Sequence, residues 1–486
     1  PSKAEIGLKK YFTELHVGAC AVARSTKHKN NARRRLSFGW NALYFKLNPK
    51  KTAHRSELFL SNPTPEAAIK MWNLLDSKGI KQAFRASLPK IKISKRFWIP
   101  YVTRVIDHTV TDEFDQKIYE HSELDLVTDA QKHTLSMKQP MPLKNWAKIR
   151  LIYNKPLKFP VKPGSPGSPV KVEAIIFHIH GGGFVAMSSS SHENYTRKWG
   201  QLLELPIISV DYRLAPEHPH PEPFNDCWQA YVWVCENAKR QLNLDFSKII
   251  VTGDSAGGNL SAALILRAIQ SGYRIPDGAM FTYPALDLCM DRFTVSHLYA
   301  LSDPLLRYTF LRICAKAYIG DQPDPANNPL FSPLQAPDTM LRNFPPSKFL
   351  IGKLDPLHDD TMRMIKKLTS AGVPTGAVRY ENLTHAFSSM YNQSKLAPQI
   401  DGIKVVLDDA VTFLSELVKM EPLTREERDT IFGRDTQEEE DEAVETARED
   451  EEKDDVVDDI TPEEENRQKE ETQLTKEQTV EYPSFN

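Results

Sequence analysis

The feature that most limits the fold is a change of rhythm after residue 172. Five apolar runs, "EAIIFHIH", "LPIISVDY", "KIIVTGD", "GAMFTYPA" and "SKFLIG", alternate with helix-period stretches at 192–204, 223–239, 256–271 and 359–371. Runs that are apolar at every position, rather than at alternate ones, suit strands covered on both faces, as parallel strands are. Strand–helix alternation with short connections therefore predicts an α/β fold, with a mostly parallel central sheet and helices on both sides.

The flanks read differently. Residues 1–150 are rich in Lys and Arg, with apolar residues at helical spacing. In "TPEAAIKMWNLLDSKG" Thr64 is a capping residue, Pro65 suits the first helical position and Gly79 ends the helix. "SKRFWIPYVTRVI" mixes aromatic and basic residues around Trp98 and reads as core packing or as contact with a membrane surface. "KFPVKPGSPGSPVKV", 158–172, concentrates Pro, Gly and Ser and marks a linker. The expected organisation is an N-terminal helical region or lid over 1–150 and a catalytic domain over 151–420, with a helical insertion at about 290–325. An acidic disordered tail over 421–486 follows, its composition unable to bury enough apolar area to offset ordering.

The net charge of −2 conceals an asymmetry. Residues 421–486 hold 26 Asp and Glu against 8 Lys and Arg, leaving 38 acidic against 54 basic residues in the first 420. A basic body favours anionic surfaces. The acidic tail solubilises the chain, or folds back on that body and competes with an anionic membrane. No nucleic-acid motif accompanies the basic balance, so nucleic acid is not an expected partner. The five cysteines are scattered without CxxC spacing, which fits a reducing compartment and neither a metal site nor a disulfide framework. No apolar run is long enough to span a membrane, and the start "PSKAEIGLKK" has neither an apolar signal core nor an initiator Met, as in a fragment or processed form.

Three motifs carry chemistry. Gly253-Asp254-Ser255-Ala256-Gly257 satisfies G-x-S-x-G between an expected strand and an expected helix, the context that presents a serine on a sharp turn. The alternative is a tight βα connection with no catalytic role. A serine hydroxyl needs a base, and "LTHAF" places His385 after a later strand, with Asp355 of "LDPLHDD" in between. Asp359, Asp360 and His358 are rivals, the two acids being better placed as helix-start residues. "HIHGGGF" supplies His180-Gly181-Gly182-Gly183 after a strand, where backbone N–H groups can meet a developing oxyanion. The expected donors are Gly181, Gly182 and the Ala256 N–H. No Lys-Ser/Thr follows these glycines and no G-x-G-x-x-G opens a helix, so no nucleotide cofactor is expected. His178 and His180 lack further ligands nearby, so no metal is expected.

"HGGGF", "DYRLAPEHPHPEP", "GDSAGGNL", "LDPLHDD" and "LTHAF" resemble the hormone-sensitive lipase family of carboxylic ester hydrolases, strongly over roughly 172–400. The resemblance implies an α/β-hydrolase fold and a Ser255, His385, Asp355 triad. It implies substrates among acylglycerols, notably diacylglycerol, with cholesteryl and retinyl esters, at the surface of cytosolic lipid droplets. It also implies that the N-terminal helical region helps cover the site and form a homodimer.

Two departures stand out. Vertebrate members carry a long regulatory insert with phosphorylated serines within the stretch corresponding to "AYIGDQPDPANNPLFSPL", which is short here. The family's usual Gly after the catalytic His is Ala386. Elsewhere, Arg33-Arg34-Arg35-Leu36-Ser37 resembles a basophilic kinase site, where phosphate would add negative charge amid arginines, or is a plain basic surface. Two other readings stay open: a small-ester carboxylesterase or deacetylase, and an inactive ligand receptor like the plant gibberellin receptors, in which the catalytic histidine is lost.

Overall fold

The computed structural model of the protein describes residues 146–159, 168–320 except 302, 304 and 305, 327–390 and 403–421, and before them 17, 20–21, 31–52, 54–55, 63–75, 88–101, 108–111 and 117–120. Gly79, most of the 158–172 linker and all of the acidic tail beyond Glu421 lie outside the described residues.

Among the described residues the N-terminal region includes the helices α1 (Asn31–Leu47) and α2 (Pro65–Leu75). Thr64 Oγ1 accepts the Ala67 N–H at 3.3 Å and so caps α2, whose first residue, Pro65, has no N–H to lose. The strands are β1 (Ile93–Pro100), β2 (His108–Thr111), β3 (Lys117–Glu120), β4 (Trp146–Tyr153), β5 (Val170–Ile179), β6 (Ile207–Val210), β7 (Leu244–Asp254), β8 (Gly278–Thr282), β9 (Ser347–Gly352) and β10 (Thr375–Tyr380). Between and after them run α3 (Glu193–Leu202), α4 (Glu222–Asn237), α5 (Ala256–Gln270), α6 (Tyr308–Ile319), α7 (His358–Ser370) and α8 (Ile403–Lys419).

Eight strands form one sheet in the order β1-β4-β6-β5-β7-β8-β9-β10, while β2 and β3 pair separately. From β6 to β10 all pairings are parallel; β1 and β4 attach antiparallel at one side. The expected boundary at 150 thus falls inside β4, and "SKRFWIP", 94–100, is an edge strand rather than part of a helical region. Phe97 and Ile99 enter the core while Lys148 Nζ lies over the Trp98 ring at 5.1 Å, so this stretch packs on protein. The helical insertion expected near 290–325 is a 3₁₀ turn, Val295–Leu301, followed by α6.

Side chains of the central strands alternate between two cores. Ile175, Phe177 and Ile179 of β5 face α4 and α5 with Trp228, Tyr231 and Leu260, whereas Ala174 and Ile176 face α3 and α8 with Trp199 and Leu414. Both faces are therefore covered, which is why the buried stretches of these strands are largely apolar on both sides. Lys248 Nζ donates to the carbonyls of Val418 (2.9 Å) and Met420 (2.8 Å), satisfying the C-terminal end of α8. Because β6 and β7 flank β5 on opposite sides, the chain leaves the carboxyl ends of β5 and β7 in opposite directions. That opens a crevice at the switch point, where α/β sheets place ligands.

Candidate active site

Both glycine motifs end at this crevice. Ser255 follows the last residue of β7 and precedes the first of α5, with φ 55° and ψ −121°. A positive φ costs a non-glycine residue on the order of 1–3 kcal/mol and persists only when the surroundings impose it. They do here. A Cβ on Gly257 would lie 2.1 Å from the Ile179 carbonyl oxygen, so only glycine lets α5 start this close to the end of β5. The Ala256 N–H opens α5 and has no intrahelical acceptor.

The structure brings Ser255, His385 and Asp355 together from three separate loops. His385 Nε2 lies 2.9 Å from Ser255 Oγ, and its Nδ1 lies 2.9 and 3.1 Å from the two Asp355 oxygens. A carboxylate facing Nδ1 fixes the proton there and leaves Nε2 to accept the serine proton. Asp355 is fully buried, and its Oδ1 also accepts the Leu357 N–H at 2.8 Å. Burial favours neutral His385, but the charge and hydrogen bond of Asp355, with Asp303 and Asp254 further off, outweigh it and raise the imidazole above 6.5. The Tyr283 ring supports it, its centroid 4.7 Å from that of His385. Of the rivals, His358 Nδ1 bonds Asp359 Oδ1 at 2.9 Å, Asp359 accepts the Ser296 N–H, and both Asp359 and Asp360 occupy the first turn of α7.

The loop expected to face an oxyanion differs from expectation at one residue. The Gly181 N–H donates to Asp254 Oδ1 at 3.0 Å, so it is committed to the carboxylate behind Ser255. Gly182 and Gly183 have φ of 117° and 59°, and their N–H groups meet no protein acceptor among the described residues. The available donors are thus Gly182, Gly183 and Ala256. Behind Gly183 stand Trp72 of α2 and Cys314 of α6: an added Cβ would lie 2.5 Å from Trp72 Cζ3 and 2.7 Å from Cys314 Sγ.

Asp254 is the centre of a buried network that sequence reasoning missed. Its carboxylate also accepts from Tyr195 Oη (3.0 Å) and lies 3.3 Å from His192 Nε2. Burial raises its carboxyl, but His192, His178 and Tyr195 outweigh that and hold it below the ordinary carboxylate range. His178 contacts Ser209 Oγ and Tyr195 Oη, while His180 contacts the Gly181 carbonyl, and burial pulls the two imidazoles down to about 3 and about 4. Both rings are therefore neutral hydrogen-bonding groups. The signal for His192 and Tyr195 was the run "SSSSHENY", whose Ser189 and Ser190 bond buried Arg150, itself paired with Glu193 at 2.7 Å. Ser37 lies in α1, half-buried, with its hydroxyl accepting from Asn41 Nδ2 at 3.0 Å. The five cysteines are free thiols, and burial pushes Cys314 up to about 12.

Residues 176–389 match a family described as having the alpha/beta hydrolase fold. The chain is 43% identical over 157 residues to the hormone-sensitive lipase of Mus musculus, 32% of this chain and 20% of that protein. It is 35% identical over 226 residues to an arylesterase of Saccharolobus solfataricus, 45% of this chain and 71% of the arylesterase. The chain belongs to the hormone-sensitive lipase-like family of α/β-hydrolases. A hyperthermophilic esterase from Pyrobaculum calidifontis shares the fold, with TM-score 0.55 and 24% identity, covering 74% of this chain and 93% of the esterase. This family member spans about a fifth of the murine lipase it matches. No helix among its described residues is long and apolar enough to cross a membrane.

Proposed function

We propose that the protein is a serine carboxylic ester hydrolase acting on neutral-lipid esters. The observation that carries this reading is the relay from Asp355 through His385 to Ser255, with 2.9 Å at each link. Ser255 Oγ attacks the ester carbonyl carbon while His385 Nε2 takes its proton. The carbonyl oxygen becomes an oxyanion facing the N–H groups of Gly182, Gly183 and Ala256, each such donor contributing about 3 kcal/mol to the transition state. The C–O bond to the alcohol breaks, His385 protonates the departing alkoxide, and the acyl group stays on Ser255. Water then gives a proton to His385 and attacks the acyl carbon. Collapse releases the carboxylic acid and returns the proton to Ser255. Asp355 remains ionised and stabilises the imidazolium in both halves.

Acylglycerols, notably diacylglycerol, with cholesteryl and retinyl esters at cytosolic lipid droplets, are the substrates this reading assigns, supported by the 43% identity over 157 residues to hormone-sensitive lipase. A second reading, hydrolysis of short soluble esters, is supported by the arylesterase, which the chain matches over 71% of its length. Wild type and Ser255→Ala, compared on emulsified diacylglycerol, cholesteryl oleate and a short p-nitrophenyl ester, test both. Loss of all activity in the variant, with wild-type turnover of the emulsions, supports the lipase. Turnover of the short ester alone supports the esterase. Full activity in Ser255→Ala, or an inert wild type that an organophosphonate fails to label, rejects the serine mechanism.

A further inference from the structure

Helix α1 turns large apolar side chains outward. Its inner side is already covered: Phe45 is buried with Val17 and Cys20, and Ala42 packs against them. On the other side Trp40 is 73% exposed, Leu43 51%, Tyr44 37% and Leu47 71%. Their spacing, i, i+3, i+4 and i+7, gathers them into one stripe. Over 31–56 the sequence has seven Lys and Arg (Arg33, Arg34, Arg35, Lys46, Lys50, Lys51, Arg55) and no Asp or Glu. Lys46, Lys50, Lys51 and Arg55 are exposed, and Lys51 Nζ donates to Tyr44 Oη at 3.1 Å, which places a cation at the margin of the stripe.

We propose that this outward face of α1 docks the protein onto an anionic lipid surface. A stripe of Trp and Leu bordered by Lys and Arg is what a helix lying in the plane of a lipid interface presents, apolar side chains entering the acyl boundary and cations meeting headgroup charge. The size of the stripe separates this occupant from a protein. Four side chains at these exposures offer on the order of 450 Å² of surface, whereas a stable protein partner covers about 800 Å² on each side. A lipid surface needs neither that area nor a complementary shape. This docking deepens the neutral-lipid reading and is tested apart from it, because vesicle binding requires no ester hydrolysis.

The full chain is sedimented with vesicles of phosphatidylcholine containing about one-third phosphatidylserine, and with pure phosphatidylcholine, at low and high salt. Binding to the anionic vesicles that weakens with salt is expected. Trp40→Glu with Leu47→Glu, and separately Lys50→Glu with Lys51→Glu, should each weaken it about tenfold or more, with turnover of a soluble short ester unchanged. That turnover also shows that the variants have folded, and Trp40→Ser offers a milder substitution at the same place. Equal binding to both vesicle types, undiminished binding by the variants, or a wild-type dimer that the Trp40/Leu47 variant loses while vesicles are ignored would each overturn the proposal, the last by making a second copy the occupant.

Discussion

Asp254 accepts the N–H of Gly181 at 3.0 Å, so the residue before Ser255 holds the glycine loop beside it. The contact joins the carboxyl ends of β5 and β7, two strands whose chains then diverge. It also commits the amide of the loop's first glycine to the protein. With its amide turned back into the protein, the next two can point outward.

Breaking this contact should misplace the oxyanion donors without removing them. Asp254→Ala leaves the Gly181 N–H and Tyr195 hydroxyl without their acceptor. A loop displaced by about 1 Å costs on the order of a hundredfold in rate. The expected result is a fall of that size in kcat for a short ester with KM nearly unchanged, read from steady-state kinetics. Asp254→Asn, which keeps one acceptor oxygen, should recover part of it. Wild-type kcat in Asp254→Ala would show that the loop holds its shape unaided.

The raised pKa of His385 sets a pH limb. Protonated His385 cannot accept the serine proton, so kcat/KM should rise with pH through a value above 6.5. Asp355→Asn removes the charge responsible, and should cut kcat by about ten-thousandfold and move the residual limb to lower pH. For stability the sign is opposite. A histidine raised by folding contributes stabilisation that is complete below its ordinary value of 6.5 and is lost as pH rises through the folded value. Chemical denaturation of Asp355→Asn across this window should therefore show its largest deficit on the acid side.

Ala386 occupies a conformation that favours glycine, with φ 63° immediately after His385. This gives physical meaning to the family's usual glycine there. The alanine holds the chain in the left-handed region at a cost that its packing beside Leu383 and Phe387 sustains. Ala386→Val, β-branched at positive φ, should destabilise by about 2 kcal/mol. Ala386→Gly should stay within about 1 kcal/mol of wild type, since relieved strain and a more flexible unfolded chain oppose each other. Thermal unfolding of the three proteins measures both, and equal losses in Val and Gly would show that the backbone there is unstrained.

Much of this fold was legible because its information is local. Strands buried on both faces are largely apolar on both sides, so the runs from "EAIIFHIH" to "SKFLIG" stand out from residue 173 onward. Gly253, Ser255 and Gly257 announce a strand-to-helix turn within five residues. Asp355 and His385 could be picked from rival acids and bases because each follows a strand. The pair β1 and β4 escaped, since they lie toward one side of the sheet and mix basic residues among the apolar ones instead of forming a continuous apolar run.

What the chain's order alone determined, then, was which residues are apolar, which turns need glycine, and which hydroxyl, imidazole and carboxylate lie at strand ends. Tertiary structure decided where backbone amides and helix faces point. Gly181 and Asp254 are 73 residues apart, and nothing at either position shows that a side chain from one loop consumes the amide of the other. Likewise, helical period places Trp40, Leu43 and Leu47 on one face of α1, but only the packing of Phe45, Val17 and Cys20 on the inner side leaves that face turned to solvent. Periodicity sorts side chains into faces; the partner each face meets depends on segments distant in sequence.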